Sequence, residues 1–348
     1  MRGVRTPFQG YAVRFSPFEE GRLAVATSQN FGIVGNGRQH VFRATPTGFV
    51  ETHAFDAADG LYDCCWSEGN ENVLLSASGD GSIKAWDVGP GGGGVGGPGG
   101  GGGGGVASAP PLRSLREHTR EVQSLSWNCN RRELFLSGSW DDTIKLWTLD
   151  APRSLRTFPG HSYCVYAVAW APAAPDVFLS ASGDCSVRVW DARSPGAASL
   201  SIAAHAHEVL AADWCKYNDS ILATGSVDRT IKLWDVRAPR RELATLAGHG
   251  YAVRRVCFSP HRETVLASCS YDMTVRLWDY AAPEDALLRV WDHHTEFAVG
   301  LDLSTLVDGD VASTGWDGMT WAWNVSEQGL AGGPGANLPG PPGGGMPR

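Results

Sequence analysis

His161, Ser180 and Asp184 have the composition of a hydrolytic triad, in which an imidazole deprotonates a hydroxyl and a carboxylate orients the imidazole. Repetition argues against that chemistry. Counted from the histidine, a hydroxyl residue falls at +19, an Asp at +23 and a Trp at +29, and the spacing occurs five times: His118/Ser137/Asp141/Trp147, His161/Ser180/Asp184/Trp190, His205/Thr224/Asp228/Trp234, His249/Ser268/Asp272/Trp278 and His294/Ser313/Asp317/Trp323. A set present in unit after unit serves the fold, and no catalytic residue is expected. A buried indole N–H needs an acceptor; a Ser or Thr hydroxyl can accept from it and donate to an imidazole, which donates in turn to a turn carboxylate. Such a relay leaves no buried polar group unpaired and ties together the strands of its unit.

Short runs bounded by turns lie between these anchors: 165–170, 177–181 and 186–190 in one unit, and a fourth, Leu155 to Phe158, ahead of Gly160-His161. With G-H and W-D signatures recurring every 43 to 45 residues, they predict an all-β fold, a seven-bladed β-propeller of WD40 type over residues 1–325. The first unit lacks the relay, with Asn30 near the Asp position and Phe42 near the Trp position, and the second keeps Ser76, Asp80 and Trp86 but has Ala57 where histidine belongs. After Trp323 the last blade still needs an outer strand, and the Gly/Pro-rich residues 328–348 cannot supply one. Residues 2–8 are free to do so, so the N-terminal strand is expected to close blade seven and remove an open sheet edge.

The chain has 348 residues, 43% of them hydrophobic, enough for a sizeable core. A net charge of −8 disfavours nucleic acid or an anionic membrane as partner and favours basic ones. No apolar run approaches membrane-spanning length, and Met1 to Arg5 does not open a secretory signal, so a cytosolic start is expected. None of the eight cysteines forms a C-x-x-C pair. They read as reduced packing residues, and His293-His294-Thr295-Glu296 uses His294 in a relay, so neither metal nor cofactor is expected. Gly89 to Val106, almost pure glycine, lacks the Lys-Ser/Thr of a phosphate loop; residues 89–106 and the tail 326–348 are expected to be disordered.

Function then falls to surface side chains on a rigid platform. In units of this kind the residues at +3 and +5 from the histidine, and the one before the turn Asp, line the face around the central channel. They include Tyr62, Glu121, Gln123, Trp140, Tyr166, Glu208, Arg254, Tyr271, Phe297 and Trp316, with Asp59 and Glu296 one residue earlier in their loops. Exposed aromatic rings beside carboxylates predict a site for an amphipathic, positively charged peptide helix, with some of the rings packing on neighbouring blades.

Particular phrases go beyond the general repeat. Phe31-Gly32-Ile33-Val34-Gly35, Ser76 to Ser82, Ser137 to Asp141, Asp213-Trp214-Cys215-Lys216-Tyr217-Asn218, Leu266 to Asp272 and His293 to Phe297 resemble the receptors for the type 2 peroxisomal targeting signal. The likeness runs in order from about residue 8 to 325; the glycine insert and the Gly/Pro tail depart from the family pattern. The resemblance implies a cytosolic receptor for an N-terminal nonapeptide, R/K-L/V/I-x5-H/Q-L/A, on newly made enzymes. It further implies a co-receptor, either a long form of the type 1 signal receptor or a dedicated fungal protein, delivery to the peroxisomal docking machinery, and the peroxisomal matrix as cycling destination. In such a peptide positions 2 and 9 lie about two helical turns apart and share one face. That face would meet the aromatic rim, and Asp59, Glu121 or Glu208 would receive the Arg and His.

Two other readings stand beside this one. Trp190-Asp191-Ala192-Arg193 and Trp234-Asp235-Val236-Arg237 resemble the W-D-x-R motif that docks substrate adaptors to cullin-type ubiquitin ligases, and a generic signalling scaffold is the other. The chain ends Met346-Pro347-Arg348, not in an S-K-L type signal, so peroxisomal presence would ride on partners.

Overall fold

The computed structural model describes residues 1–92, 109–194 and 196–326, within which the strands form seven four-stranded antiparallel sheets. Blade one spans 9–57, blade two 61–116, blade three 122–158, blade four 165–203, blade five 209–246, blade six 253–291, and blade seven 298–324 together with 2–5. The first strand of each sheet packs against that of the next, and blade seven meets blade one, so the ring is closed. Apolar faces of adjacent sheets bury each other, with Trp86, Trp147, Trp190 and Trp278 among the largest fully covered side chains. Most of the expected insert and tail lies outside the described residues.

Closure uses the N-terminus. Arg2–Arg5 pairs antiparallel with Met319–Asn324, placing Gly3 opposite Trp321. A Cβ on Gly3 would stand 2.5 Å from the Trp321 ring, so any side chain there has to displace the indole. Beyond the strand, the Thr6 N–H donates to the Gly318 carbonyl at 2.8 Å.

The relay differs from blade to blade. In blades three to six each hydroxyl, that of Ser137, Ser180, Thr224 or Ser268, lies 2.7 Å from histidine Nε2, and each histidine Nδ1 lies 2.8 Å from Asp141, Asp184, Asp228 or Asp272. The indoles of Trp147, Trp190, Trp234 and Trp278 donate to the same hydroxyls at 2.7 to 3.1 Å. Blade seven corrects the fifth set. His294 still meets Ser313 at 2.8 Å and Asp317 at 3.0 Å, but Trp323 Nε1 has no hydrogen-bond partner among the described residues. His293 takes its place, with Nε2 3.1 Å from the Ser313 hydroxyl and its ring between Trp321 and Trp323. In blade two the missing histidine is replaced across the blade boundary: Ser76 accepts from Trp86 at 2.7 Å and donates to Gln39 Oε1 of blade one at 2.8 Å. Blade one holds a separate pair, His40 Nδ1 with Glu51, and Phe42 stacks on the His40 ring.

Candidate peptide-binding face

One irregularity, repeated in all seven blades, builds the face. Where the first strand of each sheet meets the second, the register skips one residue, and the skipped residues are Tyr11, Tyr62, Gln123, Tyr166, Leu210, Arg254 and Val299. A bulge leaves one residue unpaired and re-aims its side chain. Those residues belong to seven strands that converge on the axis, so they form a ring at the mouth of the channel. Six of the seven are the +5 positions read from the histidine spacing. Tyr11 was missed because its unit lacks the whole relay, whereas unit two could still be counted from Ser76, Asp80 and Trp86; yet Phe15-Ser16-Pro17 aligns with Phe258-Ser259-Pro260 and sets Tyr11 opposite Arg254.

A second ring flanks the first. In blades two to seven the residue before the turn Asp donates its N–H to the carbonyl of the +3 residue, pairing Gly79 with Gly60, Trp140 with Glu121, Gly183 with Cys164, Val227 with Glu208, Tyr271 with Ala252, and Trp316 with Phe297, at 2.8 to 3.1 Å. The turns that follow need left-handed backbone, supplied by glycine at Gly81 (φ 80°) and Gly318 (φ 71°) and by Asp142, Cys185, Arg229 and Met273 (φ 65° to 73°) elsewhere.

The aromatic rings do not spread evenly. Tyr62, Tyr271, Phe297 and Trp316 come together with Tyr11 and Val299 into one basin over blades six, seven, one and two. Tyr271 and Phe297 stack with centroids 4.7 Å apart, Phe297 lies 5.1 Å from Trp316, and Tyr11 meets Tyr62 edge-on at 5.2 Å. Trp140 and Tyr166 form a separate edge-on pair at 6.2 Å, with the Arg120 guanidinium 5.9 Å from the Trp140 ring. The expectation of a solvent-facing rim is corrected for Tyr62, Gln123 and Arg254, which are buried in the crowded mouth of the ring. Trp140, Tyr166, Tyr271, Phe297 and Trp316 are half-buried, so each keeps an accessible edge.

Carboxylates stand among these rings. Burial, and then the nearby carboxylates of Asp59 and Glu121, push the Tyr62 phenol up to about 12. Burial, and then Glu208, raises the phenol of Tyr166. Glu121 makes only a long contact, 3.8 Å, with the exposed Arg120, and the Arg254 guanidinium is turned to the Leu210 carbonyl at 3.5 Å. The face offers flat apolar surface bordered by three carboxylates, an arrangement that accepts an apolar stripe carrying positive charge.

Below the mouth the channel is ionic. Asp63 of blade two, fully buried, accepts from Arg255 of blade six at 2.8 Å and from the Leu125 N–H at 3.0 Å, with Arg14 at 3.5 Å. Burial alone would raise its pKa, but Arg255 and then Arg14 hold the carboxyl below its usual range. Arg14, Asp213, Lys216, Arg255 and Asp302 border a cavity of about 280 Å³ in the same channel. No sequence signal had marked this network, since its members occupy ordinary strand positions in separate repeats. In the two W-D-x-R turns, Arg193 and Arg237 fold back on Asp191 and Asp235, each pair at 2.7 Å.

No helix among the described residues is long and apolar enough to cross a membrane, and no group of three or more His, Cys, Asp or Glu among them could hold a metal ion.

Residues 45–87, 109–148, 152–191, 198–235 and 240–279 match the WD domain, G-beta repeat family. Each match starts in or near the outer strand of one blade and ends in, or one residue past, the third strand of the next, the offset that leaves the last blade to be completed from the N-terminus. The chain is 55% identical to Peroxisome biogenesis protein 7 of Arabidopsis thaliana over 92% of this chain and 96% of that protein. It is 47% identical to the Peroxisomal targeting signal 2 receptor of Dictyostelium discoideum over 44% of each, and 45% identical to that of Homo sapiens over 46% of this chain and 45% of that protein. Among solved structures, the WD40 beta propeller domain of Doa1 superposes with a TM-score of 0.76 at 19% identity, covering 94% of this chain and 96% of that one, a likeness of fold alone.

Proposed function

The chain belongs to the WD-repeat family of peroxisomal targeting signal 2 receptors, and from that premise we propose that it binds N-terminal signals of the form R/K-L/V/I-x5-H/Q-L/A as amphipathic helices on its acidic, aromatic face. The observation that carries the reading is the basin of Tyr11, Tyr62, Tyr271, Phe297 and Trp316 with carboxylates at its border. An apolar stripe along the helix, including the side chains at positions 2 and 9, covers the ring edges and removes apolar area from water on both partners. The basic residues at either end meet Asp59, Glu121 or Glu208, which fix direction and accelerate encounter.

On this reading the protein works without covalent chemistry. It holds cargo in the cytosol, a co-receptor completes the grip, and the loaded complex is delivered to the peroxisomal docking machinery. The test is fluorescence anisotropy of a labelled R-L-x5-H-L peptide against the full chain, alone and with the co-receptor, beside a peptide with the Arg and final Leu replaced. Binding that requires both residues supports the reading. Equal binding of the two peptides, or none with the co-receptor present, overturns it. The ligase-adaptor reading finds less support, because Arg193 and Arg237 are engaged by the Asp of their own motifs.

A further inference from the structure

Between the second and third strands of blade one the chain makes an unusual excursion. Asn30, Phe31 and Gly32 follow one another in the left-handed region, at φ 50°, 56° and 72°. Asn tolerates this backbone, but for Phe it is unfavourable and persists only where its surroundings impose it.

The basin floor imposes it here. The Tyr11 hydroxyl donates to the Phe31 carbonyl at 2.6 Å, the Tyr62 hydroxyl donates to the Gly32 carbonyl at 2.8 Å, and the Phe31 ring lies 5.4 Å from Trp316. A Cβ at Gly32 would fall 2.7 Å from the Tyr11 hydroxyl, so glycine is required by space as well as by φ. Without these acceptors two phenol hydroxyls of the apolar floor would be left unpaired; their polar ends instead brace this loop.

What the braces hold up is apolar. Ile33 is 84% exposed and Val34 69%, the two highest values among the exposed large hydrophobic side chains of the described residues. A loop fixed by two hydroxyls and a ring contact presents this adjacent pair in one place, so docking against it costs little ordering.

We propose that Ile33 and Val34 form a fixed apolar ridge, braced by Tyr11 and Tyr62, against which the flank of the bound signal helix packs. The proposal rests on the reading of this face as a signal-peptide site. A helix with its side chains is about 10–12 Å across, so one lying on the basin rises above the floor and has a flank to cover. The ridge is continuous with the basin through Phe31 and Trp316, and an apolar helix flank is the occupant that matches two aliphatic side chains beside a floor of rings.

The test is the affinity of the labelled R-L-x5-H-L peptide for the full chain and for Ile33→Asp/Val34→Asp, with and without the co-receptor, while co-receptor binding is measured separately. The expected result is a loss of about tenfold or more in peptide affinity at an unchanged melting temperature, with the conservative pair Ile33→Leu/Val34→Ile recovering most of it. Tyr11→Phe/Tyr62→Phe keeps the rings, releases the braces and gives a smaller loss. If the Asp pair lowers the melting temperature, Ile33→Ser/Val34→Ser reads the same contact. Peptide affinity within twofold of the unaltered chain overturns the ridge alone, as does a loss confined to co-receptor binding. An unaltered chain that binds no peptide under either condition overturns the functional reading, and the ridge with it.

Discussion

The side-chain carbonyl of Gln39 accepts a hydrogen bond from the Ser76 hydroxyl over 2.8 Å, across the boundary between blades one and two. Ser76 in turn accepts from the Trp86 indole at 2.7 Å, so Gln39 stands where blades three to six use histidine Nε2. Replacing Gln39 by Ala leaves a fully buried hydroxyl without its acceptor. The expected cost is about 1–3 kcal/mol, read as a lower midpoint in denaturant unfolding, with peptide affinity retained.

Asp63 is the partner of two guanidiniums at once. Asp63→Ala strands Arg255 in the channel, leaves Arg14 with Asp302 and the Cys64 carbonyl, and removes the acceptor of the Leu125 N–H. Breaking a buried pair from one side costs about 3–5 kcal/mol, so this variant should be among the least stable single substitutions of the chain. Calorimetry or chemical unfolding checks it; a loss below about 1 kcal/mol would show that the channel rehydrates and that the pair contributes little.

The closing seam predicts a steric signature. Gly3→Val places a branched side chain against the Trp321 ring and should lower the melting temperature, with Gly3→Ala milder. Deleting residues 1–8 removes the pairing partner of Met319–Asn324 altogether and should destabilise the whole ring. A truncated chain that melts with the full chain would sink this account of closure.

Acid should unfold the propeller in two stages. Burial depresses the imidazoles of His205 and His249 despite their Asp partners, so the folded state favours the neutral ring and stability falls as pH drops below about 6.5. Burial raises Asp141, Asp184 and Asp272, but the hydrogen bonds from histidine and from Thr143, Ser186 and Thr274 outweigh it and hold these carboxyls well below their usual range. Their contribution is complete above about pH 4 and is lost as pH falls further. Melting temperature against pH should show both limbs, and Asp184→Asn should lower stability at neutral pH while flattening the lower limb.

Charge reversal at Glu121 or Glu208 should weaken a basic peptide several-fold and reduce the salt dependence of its binding, with little change in melting. His161→Ala should do the opposite and cost stability first. A relay variant that lost peptide binding with unchanged melting would contradict a purely structural role for His161.

The repeat spacing alone determined the fold, because a propeller blade is specified locally: strands of period two, a turn Asp, and a relay whose members must recur at fixed offsets to satisfy one another. The same offsets singled out six of the seven residues that the structure shows to be bulged, since each lies a fixed distance from a relay residue, whereas the bulges themselves and the backbone pairing of Trp140 with Glu121 and of Trp316 with Phe297 belong to the structure. What the tertiary structure decided lies where units meet. Gln39 serves Ser76, Asp63 reaches Arg255 across 192 residues, and Tyr11 and Tyr62 grip the Phe31–Gly32 backbone. His293 replaces an indole beside the closing strand. None of these partners stands at a repeating distance, because contacts across the channel and the seam depend on how the ring closes rather than on the order of residues within a blade.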